Sequence, residues 1–149
     1  MSTILNRECD YSLRILRCLS DGNKKTVEEI CRQESIPEPF AYKLLNKLCK
    51  NGFLTSFRGR DGGYQLAREL HNSTILDVMY VVNPNYFFFE CLRKEGKCPN
   101  KEGKKPCKIH DFLKQTQNVL IQQLKSSSLY EIFLSDDQNQ ESVQDAVKE

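Results

Sequence analysis

The sequence predicts a mainly α-helical protein with one small β-hairpin, arranged as a winged helix-turn-helix followed by a long C-terminal dimerisation helix. Two patterns carry this prediction. Two short helices joined by a tight turn lead directly into a glycine-rich hairpin, and a long amphipathic helix with one apolar stripe follows later. The chain has 149 residues, of which 39% are hydrophobic and 28% charged. That composition is typical of a globular domain with a real core.

The helix-turn-helix is predicted from its start and stop signals. The first helix spans Ile4–Ser20, where apolar residues recur at three- and four-residue steps until Asp21 and Gly22 end the pattern. A second, short helix begins with a capping box formed by Thr26 and Glu29. A third helix opens at a proline and ends at an Asn-Gly pair. Its predicted buried stripe is Phe40, Leu44, Leu45 and Leu48.

A basic hairpin follows the third helix. Residues 53–57 and 64–66 are predicted strands, and residues 58–63 form a glycine-rich turn between them. Residues 41–60 contain three lysines, two arginines and no acid. Because a solvated surface is normally mixed in sign, this excess favours a polyanionic partner such as DNA. The candidate DNA-contacting residues are Tyr42, Lys43, Asn46, Lys47, Arg58 and Arg60.

The second half predicts a helix, an irregular segment and a dimer helix. A capped helix runs from Thr74 to about Val82. Helical periodicity returns over residues 109–124, and its single apolar stripe needs a partner, most simply a second copy of the chain. The residues of this stripe are Phe112, Leu113, Thr116, Val119, Leu120, Gln123 and Leu124. A last helical turn at residues 129–133 is expected to pack back. The predicted units are a DNA-binding domain (1–83), a cysteine segment (84–108), a dimerisation helix with its terminal turn (109–134) and a disordered acidic tail (135–149).

The cysteine segment carries the one set of residues suited to metal chemistry. Cys91, Cys98 and Cys107 are spaced C-x6-C-x8-C, and His110 follows as C-x2-H. Such ligands suit zinc or an iron–sulfur cluster, and spacing alone leaves both open. Seven Lys/Arg against two Glu between Cys91 and Lys108 would favour thiolates. Asp10, in the first helix, is a further candidate ligand that could reach across a dimer.

These segments together resemble the Rrf2 family, the winged-helix bacterial regulators of the IscR and NsrR type. The resemblance covers nearly the whole chain up to Phe133. Its most specific part is the Arg-Gly-x-x-Gly-Gly-Tyr turn that begins at Arg58. The other segments that carry it are residues 10–16, 27–30, 36–40, 44–48, 74–78 and the three-cysteine loop.

The resemblance implies a homodimer on a palindromic DNA operator, with the third helix in the major groove and the wing arginines in the minor groove. It also implies that Cys91, Cys98 and Cys107 hold a [2Fe–2S] or [4Fe–4S] cluster. The fourth ligand would be Asp10 of the partner subunit, as in nitric-oxide sensors, or His110, as in iron–sulfur regulators. The x6 and x8 loops are longer than the family's usual x5 pairs. We favour Asp10 and [4Fe–4S].

The leading hypothesis is therefore a repressor whose DNA affinity depends on a cluster that reports iron–sulfur status, redox state or nitric oxide. Two alternatives remain: a cluster-free regulator of the same fold controlled by a partner protein or metabolite, and a zinc-stabilised interaction module. No nucleophile–base pair, phosphate loop or paired carboxylates are present in the sequence, so no enzyme is predicted. No apolar run approaches the roughly 20 residues of a membrane span, and no secretory signal opens the chain, so we expect a cytoplasmic protein without a membrane partner.

Overall fold

The structure is a computed structural model and describes residues 6–85, 87–93, 98, 100 and 107–134. Six helices and one antiparallel hairpin make up these residues, which confirms the predicted fold class. Single 3₁₀ turns lie at Leu70–Asn72 and Glu90–Leu92. The larger elements are α1 (Arg7–Cys18), α2 (Val27–Glu34), α3 (Glu38–Lys50), β1 (Leu54–Phe57), β2 (Gly63–Leu66), α4 (Ile75–Val82), α5 (Lys108–Lys125) and α6 (Leu129–Leu134).

Side-chain caps fix where α1 and α2 begin. The Asn6 side chain accepts a hydrogen bond from the Cys9 backbone N–H at 2.8 Å, so α1 begins at Arg7. Its predicted start, Ile4, lies outside the described residues. The predicted capping box of α2 is confirmed: Thr26 N–H donates to the Glu29 carboxylate at 2.7 Å, and Glu29 N–H donates back to the Thr26 hydroxyl at 3.3 Å.

The main core lies where α1, α2 and α3 meet. Its fully buried side chains include Ile15, Leu16, Leu19, Ile30, Leu44, Leu45, Leu48 and Phe53. One predicted core residue is wrong: Phe40 is 39% exposed, and Ala41 is buried instead. The buried stripe of α3 follows positions 41, 44, 45 and 48, and Phe40 lies to one side of it. There the Phe40 ring meets Tyr11 edge to face, with the ring centroids 6.1 Å apart.

The hairpin of β1 and β2, called the wing (residues 54–66), is attached to the helices. Leu54 pairs with Leu66 at its base and Phe57 pairs with Gly63 near its tip. Lys25, just before α2, exchanges backbone hydrogen bonds with Tyr64 at 3.0 and 2.8 Å. This isolated bridge fixes the wing beside the helix-turn-helix.

The C-terminal helices return to the core. Leu129 of α6 is fully buried, and its N–H donates to the Ser73 carbonyl at 2.7 Å, which confirms the predicted final turn. α5 packs on α4, with Leu124 and Ile121 against a small core that contains Met79. Leu124 was predicted on the partner-facing stripe but packs within the chain, beside Ile121, which was not part of that stripe. The predicted tail, 135–149, lies outside the described residues. In the described ranges, no helix is both long and apolar enough to cross a membrane.

The attachment of the wing through the Lys25–Tyr64 bridge can be tested by substitution of Gly63, which lies against Lys25. Gly63 has a φ of +147°, and a Cβ built there would lie 2.7 Å from the Lys25 carbonyl oxygen. We expect Gly63→Ala to lower the free energy of unfolding by at least about 2 kcal/mol, through backbone strain and separation of the bridge. Gly22 has a φ of +76° with nothing within 4 Å of its Cβ position, so Gly22→Ala should cost only about 1 kcal/mol. Urea unfolding of both variants measures the difference, and equal losses would show that the Lys25 contact does not matter.

Candidate DNA-binding surface and cysteine segment

The outer face of α3 presents polar and charged side chains. Burial of the opposite face against α1 and α2 fixes this orientation. Tyr42, Lys43 and Asn46 are exposed, and Lys47 is half-buried. Lys50, at the end of α3, is also exposed. It was not among the predicted contact residues, although its place in the acid-free segment was a usable signal.

The wing adds positive charge beside the start of α2. Arg58 and Arg60 are exposed, and neither forms an ion pair with another described residue. Lys24 joins them: its ammonium donates to the Asp61 carbonyl oxygen and lies 5.4 Å from the Phe57 ring centroid. The sequence pattern missed Lys24 because it precedes α2 and reaches the wing only through the Lys25 bridge. Guanidinium and ammonium groups at a protruding hairpin suit contact with phosphates.

An acid of α1 contacts two lysines of this surface. The Glu8 carboxylate of α1 forms ion pairs with Lys43 and with Lys47, the latter at 2.9 Å. Lys47 also donates to the Val82 carbonyl oxygen at 2.8 Å, at the end of α4. The hydrogen bond from Lys43 holds the pKa of Glu8 below its usual range. Residues 41–60 thus contain no acid, yet a carboxylate from another helix contacts two of their lysines, and no sequence pattern indicated this contact.

The three predicted metal-binding cysteines are free and half-buried. Cys91 lies in the 3₁₀ turn Glu90–Leu92, and Cys107 is the N-cap residue of α5. Since this turn packs against α5, Cys91 and Cys107 belong to neighbouring elements. Around Cys98, residues 94–97, 99 and 101–106 lie outside the described residues.

The two candidate fourth ligands occupy different helices. His110 is half-buried in the first turn of α5. Asp10 is in the first turn of α1, where its carboxylate is ion-paired with Arg14 at 3.1 Å. Asp10 also lines a cavity of about 380 Å³ with Leu13, Arg14, Arg17 and Phe133. Within one chain the two candidates are therefore on separate elements.

These donors suit a metal or cluster by type. Three thiols, an imidazole and a carboxylate are ligands that zinc and iron–sulfur clusters accept. Among the described residues, however, no group of three or more His, Cys, Asp or Glu is gathered so as to hold a metal ion. The fit therefore rests on the donor chemistry.

Cys9 is a core residue and not one of these candidate ligands. It is 3% exposed, and burial raises the pKa of its thiol to about 12.

α5 divides its apolar residues between two sides. Leu124 and Ile121 pack against the small core near α4. The opposite side is open to solvent: Ile109, Phe112 and Val119 are 70%, 67% and 68% exposed. These three residues are called the outer stripe of α5. Apolar residues this exposed along one helix are typical of an association surface.

Comparison with known sequences gives consistent matches. A family model described as Rrf2, iron-dependent transcriptional regulator, matches residues 5–134. Protein aau3 of Rhizobium meliloti is 28% identical over 128 residues, which are 84% of this chain and 81% of that protein. An HTH-type transcriptional regulator of Aquifex aeolicus is 29% identical over 107 residues, 72% of this chain and 74% of the other.

Two solved structures share the fold. T. potens IscR aligns with a TM-score of 0.68 at 19% identity, over 89% of this chain and 85% of that one. CymR, the global cysteine regulator of B. subtilis, aligns with a TM-score of 0.68 at 20% identity, over 92% of this chain and 100% of that one.

Proposed function

The chain belongs to the Rrf2 family of transcriptional regulators, and on that premise we propose that it represses transcription as a homodimer bound to palindromic DNA. The proteins of this family are regulators and not enzymes. The observation that carries the DNA-binding proposal is the exposed cationic surface formed by the outer face of α3 and the wing. Because its ligand is chromosomal DNA, the proposed place of action is the cytoplasm.

The two parts of this surface have different proposed roles. Tyr42, Lys43 and Asn46 lie on the exposed face of α3. A helix that enters the major groove reads DNA with side chains on such a face. Arg58 and Arg60 lie at a protruding turn and would reach phosphates and the minor groove. Phosphate contacts supply most of the affinity, whereas base contacts supply specificity.

The outer stripe of α5 supports the homodimer. Three apolar side chains at least two-thirds exposed lie on the same side of the helix, away from the core that α5 covers. A symmetric dimer presents two α3 helices, whose half-sites lie about 34 Å apart on DNA or a multiple of that distance. The pose of one subunit relative to the other therefore controls whether both can bind.

The cysteine segment is the proposed sensor. Cys91, Cys98 and Cys107 would hold an iron–sulfur cluster, with Asp10 of the partner subunit favoured over His110 as fourth ligand and [4Fe–4S] over [2Fe–2S]. When bound, a cluster supplies iron–sulfide chemistry that responds to redox state, iron supply and nitric oxide. The segment joins α4 to α5, so a change in its order alters how the two helices are placed. A coupling of about 1–3 kcal/mol between sensor and DNA would change affinity roughly 5- to 150-fold.

The first prediction tests the DNA-binding surface through Arg60. We expect Arg60→Gln to flatten the slope of log affinity against log salt by about one unit on random-sequence duplex DNA, because one phosphate contact is lost. Lys125→Gln is the matched control, since Lys125 is an exposed cation on α5, outside the helix-turn-helix and the wing. Fluorescence anisotropy over a salt series provides the measurement. Equal slopes for the two variants would show that Arg60 does not contact the DNA.

The second prediction tests the dimer. Val119→Asp should abolish self-association without destabilising the subunit, because Val119 is 68% exposed in a single chain. Asn118, exposed on a different side of α5 from the outer stripe, gives the control Asn118→Asp. We expect sedimentation to show a monomer for Val119→Asp and a dimer for the control. A stable Val119→Asp dimer would contradict the assignment of the outer stripe.

The third prediction tests the sensor by visible absorbance of anaerobically purified protein, with iron, sulfide and zinc analysis. Cys98→Ala should abolish the cluster spectrum, and Asp10→Ala should perturb it more than His110→Ala. A larger effect of His110→Ala would reverse the choice of fourth ligand. Zinc alone, without DNA binding, would favour the interaction module. A colourless, metal-free protein that binds DNA would favour the regulator controlled by a partner protein or metabolite.

A further inference from the structure

An acidic side chain of α1 engages two lysines of the proposed DNA-reading helix. Glu8 is 24% exposed, and its two carboxylate oxygens contact different lysines: Oε1 contacts Lys43, and Oε2 contacts Lys47. The Lys43 side chain is 55% exposed, so its ammonium is at the edge of the outer face of α3. The only acid paired with these lysines among the described residues thus comes from another helix.

The position of Glu8 is fixed by the fold. α1 packs directly against α3, and the Asn6 cap sets the first turn of α1, where Glu8 lies. Lys47 is held from a second direction by the Val82 carbonyl oxygen at 2.8 Å. Glu8 therefore meets lysines whose backbone is already in place, and the contact does not depend on a flexible loop.

An ion pair of this kind changes how α3 interacts with DNA. Cations already paired with a carboxylate contribute less to the attraction of phosphates and release fewer counterions when DNA binds. Exposed ion pairs are weak, so a well-placed phosphate or base can replace the carboxylate. A carboxylate close to the DNA also repels phosphates that do not supply such a replacement.

We propose that Glu8 is a specificity-determining positioning residue, which withholds Lys43 and Lys47 of α3 from DNA that offers them no better partner. This inference rests on the proposed DNA-binding function. Glu8 lowers affinity for arbitrary sequences, and only a site that places acceptors at the ends of these lysines releases them. Discrimination between operator and random DNA thereby increases, although Glu8 itself contacts no DNA.

The test compares Glu8→Gln with the wild type, using the full chain and random-sequence duplex DNA over a salt series. Removing the carboxylate charge should steepen the slope of log affinity against log salt by about one to two units, because up to two lysines become available to phosphates. Glu34→Gln is the matched control. It also removes one negative charge and one ion pair, but that ion pair is with Arg17, and Glu34 lies on α2. A slope change no larger than that of Glu34→Gln overturns the inference.

A double-mutant cycle distinguishes two effects of Glu8: pairing with the two lysines so that they do not bind DNA, and direct repulsion of the DNA phosphates by the carboxylate. In the Lys43→Gln/Lys47→Gln background, Glu8→Gln should change the slope no more than Glu34→Gln does. An undiminished effect in that background overturns the inference, because Glu8 would then repel DNA directly.

A second variant does not depend on how well Glu8→Gln folds. Lys43→Gln alone should flatten the wild-type slope clearly less than Arg60→Gln, and equal flattening overturns the inference. Failure of the DNA-binding proposal has a different signature, since wild-type binding would then show no salt dependence and Arg60→Gln would change nothing.

Discussion

The burial of one face of α3 against α1 is the constraint on which the rest of the structure depends. Leu44, Leu45 and Leu48 are fully buried, so the helix cannot rotate without exposing its core residues. The side chains between them are consequently directed outward. The same packing brings the first turn of α1 beside Lys43 and Lys47 of α3. It also sets the base of the wing, because β1 follows α3 after three residues. The geometry of the proposed DNA-binding surface follows from this one interface.

α1 connects the two proposed functional regions. Its first turn contains Glu8, which contacts lysines of α3, and Asp10, the favoured fourth ligand of the proposed sensor in the other subunit of the dimer. Between them, Cys9 is buried against Met79 of α4 and near residues of α5. Because α4 and α5 flank the cysteine segment, a rearrangement there would act on the same turn of α1. Lys47 adds a second connection, since it binds both Glu8 and the end of α4.

Local signals predicted the fold well, and they failed where long-range contacts decide. The Thr26–Glu29 capping box and the wing motif each depend on a few neighbouring residues, so the sequence sufficed. The apolar residues of α5 were harder to assign from the sequence. Val119 is exposed whereas Ile121 packs on the small core, and this division depends on where α4 lies. The pairing of Glu8 with Lys43 joins residues 35 positions apart, and no periodic pattern encodes it. For the cysteines, the residue types predict ligand chemistry, whereas the proposed assembly of a cluster would depend on the fold of the whole segment and on a partner subunit.

The most direct test of the central claim is a map of backbone amide chemical shifts as random-sequence duplex DNA is added to the ¹⁵N-labelled protein. We predict that the largest changes fall on the outer face of α3, residues 42–50, and at the wing turn, residues 57–62. Residues of the outer stripe of α5 should change little, because they are assigned to the dimer. Changes centred on α5 or α6, with α3 and the wing unaffected, would contradict the account.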